Sequence, residues 1–417
     1  MHRIEIKNFG PVADVEMDVA NVTFLLGEQA SGKSTIAKLI YFFRTWQDEF
    51  ISIVANDFET WSSCRTAFKS LLRSKFVNLF GATANLGRFE ITYRYSPSVS
   101  VGITPNEVRQ VNIKLGSLLP TLKRIWEIRA RERLNTDNGA PINGLRSKTR
   151  SLFNDDYYPV YIPAGRAFLS RETLYQVIMN YEASALNERI RDYGPFDVVD
   201  APTRRFISEV GNVRRWLAAP AVDIDLPEYL SKTSGSILKG TYVRRRERDF
   251  IKLADKQLVP LSYSSSGQQE VVWLLNMLLY YTAIGQKCFV IIEEPEAHLH
   301  PDAQYLLVKY IVAFINLTGS QSLITTHSPY ILSSCNNLLY ADKCGRNPDN
   351  ATAVKSIIEQ DCWLSSDNVD AYIMEEGSII DIKDERLTLI EIDRLDSVAS
   401  GQDDEYEKLC RISRGRQ

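Results

Sequence analysis

Several common signatures are missing from this chain of 417 residues. Its six cysteines (Cys64, Cys288, Cys335, Cys344, Cys362 and Cys410) include no CxxC pair. That argues against a disulfide frame or a zinc ribbon, and reduced thiols in a cytoplasmic protein are expected. Histidine is scarce. His298 and His300 form an HxH with no third ligand at useful spacing, so a zinc site is not expected. No apolar run reaches the length of a membrane span and no basic-then-apolar leader opens the chain, so a protein without membrane contact is expected. Sustained heptads, which a long coiled coil would need, are absent, as are internal repeats and low-complexity tracts. Charge of one sign is not in excess either. Lys and Arg number 49 against 52 Asp and Glu, a net charge of −3. The whole protein is therefore no polycation, and any nucleic-acid contact must use a local patch. The 44% hydrophobic content is ample for a sizeable core in more than one lobe.

What is present is an ordered set of short motifs. Residues 2–26 read as strand, turn and strand, ending in the apolar VTFLL. GEQASGKS (27–34) follows, then a helix expected over about Lys33 to Trp46. This is GxxxxGK[ST] in its required setting, between an apolar strand and a helix. Gly27 and Gly32 allow backbone angles that turn amides onto phosphate oxygens. Ala30, Ser31 and Thr35 complete the cradle. Lys33 would sit between the terminal phosphates, and Ser34 would offer its hydroxyl to Mg²⁺. A chance glycine turn is the bland alternative, but it does not explain the flanking strand and helix.

FVIIEEPEAHLH (289–300) is an apolar strand that delivers two carboxylates at its end, as open parallel sheets build sites. Glu293 is the candidate for holding Mg²⁺, and Glu294 for orienting or deprotonating the attacking water. A helix-start cluster of acids accounts for Glu296 but not for the pair after four apolar residues. His327 in TTHSP (325–329) also follows an apolar strand, where it could sense a γ-phosphate. SSGQQE (265–270) offers a second anion cradle at a helix start, with Ser266, Gly267 and Gln269 as candidate nucleotide contacts. Taken alone, the same string would read as an ordinary serine cap with Gln or Glu at N3.

Elsewhere the pattern is coarser. Residues 47–84 look helical, 88–115 look like a small antiparallel sheet, and 118–150 look like a helix followed by the polar loop NTDNGAPING. PVYIPA (159–164) reads as a buried strand, 170–234 as mostly helical, and 236–263 as a hairpin or meander. Helices are expected over 267–283 and 302–317, and strands over 288–293 and 321–325. That is the rhythm of a parallel α/β sheet. Farther on, 371–383 resembles a hairpin and 404–412 a final helix. Basic residues recur at Lys123, Arg124, Arg129, Arg131 and Arg133, at Arg146, Lys148 and Arg150, and at Arg244, Arg245, Arg246 and Arg248. They read either as solvated faces or as phosphate-neutralising patches. Arg166 in PAGR is a candidate for touching nucleotide or coupling lobes.

Together the four motifs resemble ABC-type ATPases of the SMC-like and RecF-like branch, with the overcoming-lysogenization-defect family and related bacterial defence ATPases as the nearest likeness. The opening IKNFGPV, the phosphate loop, SSGQQE, EEPEAHLHP and TTHSP carry it, over about 1–45 and 260–335. VYIPAGR (160–166) also looks like a family segment. The resemblance implies an α/β fold: a P-loop ABC-type ATPase head with a mixed sheet, an antiparallel β subdomain and a helical lobe. Expected units are 1–115, a helical lobe at 116–235, a second ATPase part at 236–345 and an extension at 346–417. It also implies ATP and Mg²⁺ as cofactors, with ATP sandwiched between two copies, Ser266 and Gly267 of one gripping the nucleotide on Lys33 of the other. Glu293 stands where transporters carry aspartate, His300 where the D-loop aspartate would lie, and no glutamine can be placed for the Q-loop. The expected activity is an ATP-hydrolysing switch that gates a separate effector protein or a nucleic-acid contact, in antiviral defence. Two alternatives are a repair ATPase of RecF type and a nuclease using carboxylates in EEGSIID (375–381) and IDRLD (392–396). Relatives with a Toprim nuclease separate an early acid from a later DxD, and these short segments lack that spacing.

Overall fold

The computed structural model describes residues 2–56, 58–81, 87–108, 110–134, 149–150, 153–170, 200–218, 227–245, 248–384, 386 and 388–391. The expected helix at 404–412, the polar loop at 135–144, Arg146, Lys148, Arg246, the segment 392–396 and most of 170–199 lie outside them.

An 11-stranded mixed sheet organises the chain. Its strands are β1 (His2–Phe9), β2 (Val12–Val19), β3 (Val22–Gly27), β4 (Glu90–Ser96), β5 (Val99–Pro105), β6 (Val111–Lys114) and β7 (Tyr158–Ile162), then β11 (Cys288–Glu293), β12 (Gln321–Thr326), β13 (Val369–Glu375) and β14 (Ser378–Asp381). Their spatial order is β6-β5-β4-β1-β2-β14-β13-β3-β12-β11-β7. Strands β13, β3, β12, β11 and β7 run parallel, whereas β1 pairs antiparallel with β2 and β4, and β4, β5 and β6 continue as an antiparallel meander. A separate three-stranded meander, β8 (Thr241–Arg245), β9 (Arg248–Lys252) and β10 (Leu258–Pro260), leads to the SSGQQE segment.

Every residue of β3 and β11 is buried, as expected for parallel strands covered on both faces. The pleat sorts their side chains. Phe24, Leu26, Val290, Ile292 and Ile324 face one core, while Leu25, Phe289, Ile291 and Leu323 face the other. Helices α1 (Lys33–Arg44), α2 (Trp46–Val54), α3 (Trp61–Phe80) and α4 (Leu119–Leu134) belong to the second core. Helices α5 (Ala201–Ala218), α6 (Glu228–Leu238), α7 (Ser266–Ala283), α8 (Pro301–Thr318) and α9 (Pro329–Gly345) pack on the first, with α10 (Pro348–Lys355) against α9. No described helix is long and apolar enough to cross a membrane.

Two details depart from the sequence reading. The first helix stops at Arg44 and a new one begins at Trp46; Thr45 between them keeps helical angles, with its amide shared between Tyr41 O and Phe42 O and its hydroxyl on Phe42 O at 2.7 Å. The hairpin near 371–383 is not peripheral. β13 inserts beside β3, with Met374 paired to Gly27, so a late segment completes the sheet at the phosphate loop.

A polar knot lies under the last turn of α1. Arg44 is buried with its guanidinium 4.0 Å from the Phe289 ring centroid and 2.9 Å from Asp155 Oδ1. Nearby, His2 contacts the Tyr93 hydroxyl at 2.8 Å and Asn154 O at 3.1 Å. Burial, and next the Arg44 charge, hold the His2 imidazole well below its ordinary value. The unfolded chain therefore takes up a proton that the folded one refuses, and stability present above the ordinary imidazole range is lost as pH falls below it. Urea unfolding at pH 7.5 and 5.5 is expected to show a pH-dependent loss smaller by about 1 kcal/mol in His2→Gln than in the natural protein. Equal losses in the two proteins would remove His2 as a source of acid sensitivity.

Candidate active site

The phosphate loop joins β3 to α1. Gly27 and Gly32 have φ of 138° and 110°, and Ala30 between them is also left-handed at 63°. Space demands the glycines as much as angle does. A Cβ on Gly27 would lie 2.8 Å from both Cβ and O of Met374, and one on Gly32 would lie 2.9 Å from Val12 Cγ2. The β1–β2 turn and β13 thus press on the outside of the loop. Lys33 curls over it, donating from Nζ to Gly27 O at 2.9 Å and Glu28 O at 2.7 Å, with Ser31 Oγ at 3.4 Å. Burial lowers its pKa, opposed by the charges of Glu294, Glu296 and Glu293. Ser34 is exposed and Thr35 half-buried at the start of α1. An extra positive charge and unspent helix amides make this end of α1 a cradle for phosphate.

The carboxylates arrive on β11. Glu293 is buried. Its Oε2 accepts from Ala164 N at 3.3 Å, while its Oε1 is buried without a hydrogen-bond partner. Glu294 turns outward because its backbone is left-handed, with φ of 43°, and its amide donates to Thr325 O at 2.9 Å. For a non-glycine residue that conformation costs on the order of 1–3 kcal/mol and tends to gather at functional positions. It brings Glu294 Oε1 to 3.4 Å from His327 Nε2, both groups partly exposed. Glu296, expected only as a helix-start acid, does more. Its Oε1 accepts from the Thr326 hydroxyl at 2.6 Å and from His327 N at 2.8 Å, tying the histidine segment to the β11 loop.

Arg166 lies entirely out of solvent at the end of β7. Its Nη1 donates to Pro163 O and Glu293 O, each at 2.8 Å, and its Nη2 to Glu294 O at 3.1 Å. Its Nε donates to Glu270 O at 3.0 Å. The Glu270 carboxylate in turn accepts from the amides of Arg166 at 2.6 Å and Ala167 at 3.1 Å. One side chain therefore joins the backbone of both strand-end glutamates to the first turn of α7. Of the two roles expected for Arg166, the contacts favour coupling, since all three guanidinium nitrogens donate to protein carbonyls.

At the start of α7, Ser265 is the cap. Its hydroxyl accepts from Gln268 N at 3.3 Å, and Gln268 Oε1 accepts from Ser265 N at 3.0 Å. The capping reading of SSGQQE is realised, but by Ser265, which leaves Ser266 exposed at the first helical position. Gly267 cannot carry a side chain: a Cβ there would lie 2.6 Å from His298 O. Gln269 is not turned toward solvent. Its amide donates to Ser264 O and accepts from the Ser170 hydroxyl, so these partners engage it within its own chain. His300 caps α8, accepting from Asp302 N at 3.4 Å, and no cluster of potential metal ligands built on His, Cys, Asp and Glu occurs among the described residues.

Residues 1–187 and 217–332 match the AAA ATPase domain family, well over half of the chain. The chain belongs to that family. It is accordingly an ATP-binding enzyme that hydrolyses ATP on a P-loop α/β fold. Protein ea59 of Escherichia phage lambda is 28% identical over 97 residues, covering 21% of this chain and 18% of that protein. The match therefore spans less than a fifth of that relative. An SMC head bound to the C-winged helix domain of ScpA aligns at 12% identity and a TM-score of 0.44, covering 92% of this chain and 98% of the other. An SMC head domain from Thermotoga maritima aligns at 12% identity and a TM-score of 0.38 with the same coverage.

Proposed function

We propose that this ATPase is a switch in which two chains close head to head on ATP and part after hydrolysis. In this reading Gly27, Ala30, Ser31, Gly32, Lys33, Ser34 and Thr35 hold the triphosphate. Glu294 serves the attacking water and His327 senses the γ-phosphate. The partner copy supplies Ser266 and Gly267. Magnesium fits the residues present. The orphaned, buried Glu293 Oε1 wants a water or a cation, and the exposed Ser34 hydroxyl is a second hard oxygen donor. When bound, the ion would neutralise developing charge on the phosphates.

The observation that carries the two-chain reading is the capping box. It is closed by Ser265 and Gln268, so Ser266 is not needed to cap its own helix and stays exposed in the first turn, while the missing side chain at Gly267 lets that turn pack against His298 O. A second phosphate cradle has little use in a chain that already owns one, and good use across a symmetric interface. The resemblance to defence ATPases supports effector gating during antiviral defence as the setting.

Mixing tests this reading. Lys33→Ala and Ser266→Arg proteins are each expected to be inactive alone. Mixed in equal amounts, they should recover about a quarter of natural turnover, because half the dimers then hold one intact composite site of two. Two inactive proteins that stay inactive when mixed, while the Ser266 variant still binds ATP and the two proteins still exchange partners, would overturn the shared site.

A further inference from the structure

The strongest unassigned feature is a basic band on α3 and the start of α4. Residues 61–126 hold ten Lys and Arg (65, 69, 73, 75, 88, 94, 109, 114, 123, 124) against two acids, Glu90 and Glu107, in a chain of net charge −3. Helix α3 itself has four cations and no acid in twenty residues. Arg65, Lys69 and Arg73 recur every fourth residue, so they form one stripe with about 6 Å of rise between neighbours. Together with Leu115, Gly116 and Leu119 they line a surface groove.

Among the described residues no carboxylate forms an ion pair with any of the three, and Arg73 donates from Nε to Val111 O at 2.9 Å. Lys69 is pushed below its ordinary pKa by burial and then by the charges of Arg65 and Arg73. Like charges crowded together without a carboxylate are a standing cost that a bound polyanion removes. Beyond Leu119 the band runs on along α4, where Lys123, Arg124 and Arg131 line an adjoining groove, with Glu127 as the acid opposite Lys123 at 3.7 Å.

We propose that this band docks the phosphodiester backbone of a nucleic-acid duplex. A duplex is preferred to a single strand because the residues lining either groove include no aromatic side chain on which bases could stack. A backbone reader needs only cations at regular spacing, and one strand of a duplex offers a phosphate about every 3.4 Å along the axis. The other basic cluster anticipated from sequence, on β8 and β9, is a weaker candidate. Arg244 is bound to Asp249 at 2.8 Å, and Asp249 also engages Arg214 at 2.7 Å. The proposal goes beyond head-to-head closure and does not depend on it, so it is tested without nucleotide.

Fluorescence anisotropy with the full chain would use labelled 30-base-pair DNA, 30-base-pair RNA and a 30-nucleotide oligo-dT, from 50 to 300 mM KCl. At least one duplex is expected to bind at 50 mM, more tightly than oligo-dT and with strong salt dependence. Arg65→Glu, Lys69→Glu and Arg73→Glu combined should weaken binding at least about tenfold and flatten the log–log salt slope by roughly two to three, the release expected from three lost phosphate contacts. The corresponding glutamine triple variant should do the same in lesser degree, with ATP turnover as the check of folding. The proposal is overturned if neither duplex binds, if the triple variants keep natural affinity and slope, if oligo-dT binds best, or if polyglutamate binds where duplexes do not, which would point to an acidic protein partner instead.

Discussion

Replacing Glu294 by glutamine is expected to lower ATP turnover by about two to four orders of magnitude while leaving ATP affinity nearly intact. Three local features concentrate that effect on one carboxylate. Its left-handed backbone aims it away from the strand, its amide is fixed on Thr325 O, and its carbonyl is fixed by Arg166. The side chain is thus presented by a rigid frame while staying accessible enough to meet a water. Glutamine preserves the shape and removes the proposed proton acceptor. If closure on ATP precedes hydrolysis, the variant should also accumulate as a dimer with Mg-ATP, seen as a doubled mass in light scattering. The neighbouring Glu293→Gln should behave differently, because its carboxylate is buried and suited to a cation, so Mg²⁺ dependence should shift first. Normal turnover by the Glu294 variant would transfer the acceptor role to another group, with His327, 3.4 Å away, the first to examine.

The strand ends and the glycine loop that carry the candidate site were legible because their pattern is local. GEQASGKS, the strand-end EE pair and the TTHSP histidine each need only a strand, a turn and the next few residues, and periodicity reveals the strands. Paired helices and meanders were legible for the same reason. What could not be read were contacts between distant segments. Nothing in the order of residues says that β13 slides in beside β3, because a hairpin 347 residues away has no local mark of its neighbour. Its near-continuous burial is a weak signal of a central position. Glu296 looked like a helix-start acid, since its partners Thr326 and His327 lie thirty residues on. The α4 part of the basic band, Lys123, Arg124 and Arg131, was noted from the sequence, but its α3 part was missed for a different reason. Its charges sit four apart on an otherwise amphipathic helix, so no cationic run appears, and the telling feature is the lack of acids around them.

Arg166 carries the second large effect. Arg166→Met removes four side-chain hydrogen bonds at once, to Pro163, Glu293, Glu294 and Glu270, and strips the buried Glu270 of its cationic neighbour. Breaking one side of a buried pair costs about 3–5 kcal/mol, far more than an exposed pair is worth. Unfolding of the single variant should shift by that amount. Adding Glu270→Gln should restore part of the stability by removing the unpaired charge, less the cost of the one backbone amide, of Arg166 or Ala167, that the glutamine nitrogen cannot accept from. Turnover should not return with it. The Glu293 and Glu294 carbonyls would still lack the donor that positions them, and the first turn of α7 would no longer be tied to the strand end. A double variant that regains both stability and turnover would make Arg166 a folding element alone. One that regains stability while kcat stays low and KM for ATP is unchanged would identify it as the residue that positions Glu294, the proposed catalytic glutamate, and ties it to the start of α7.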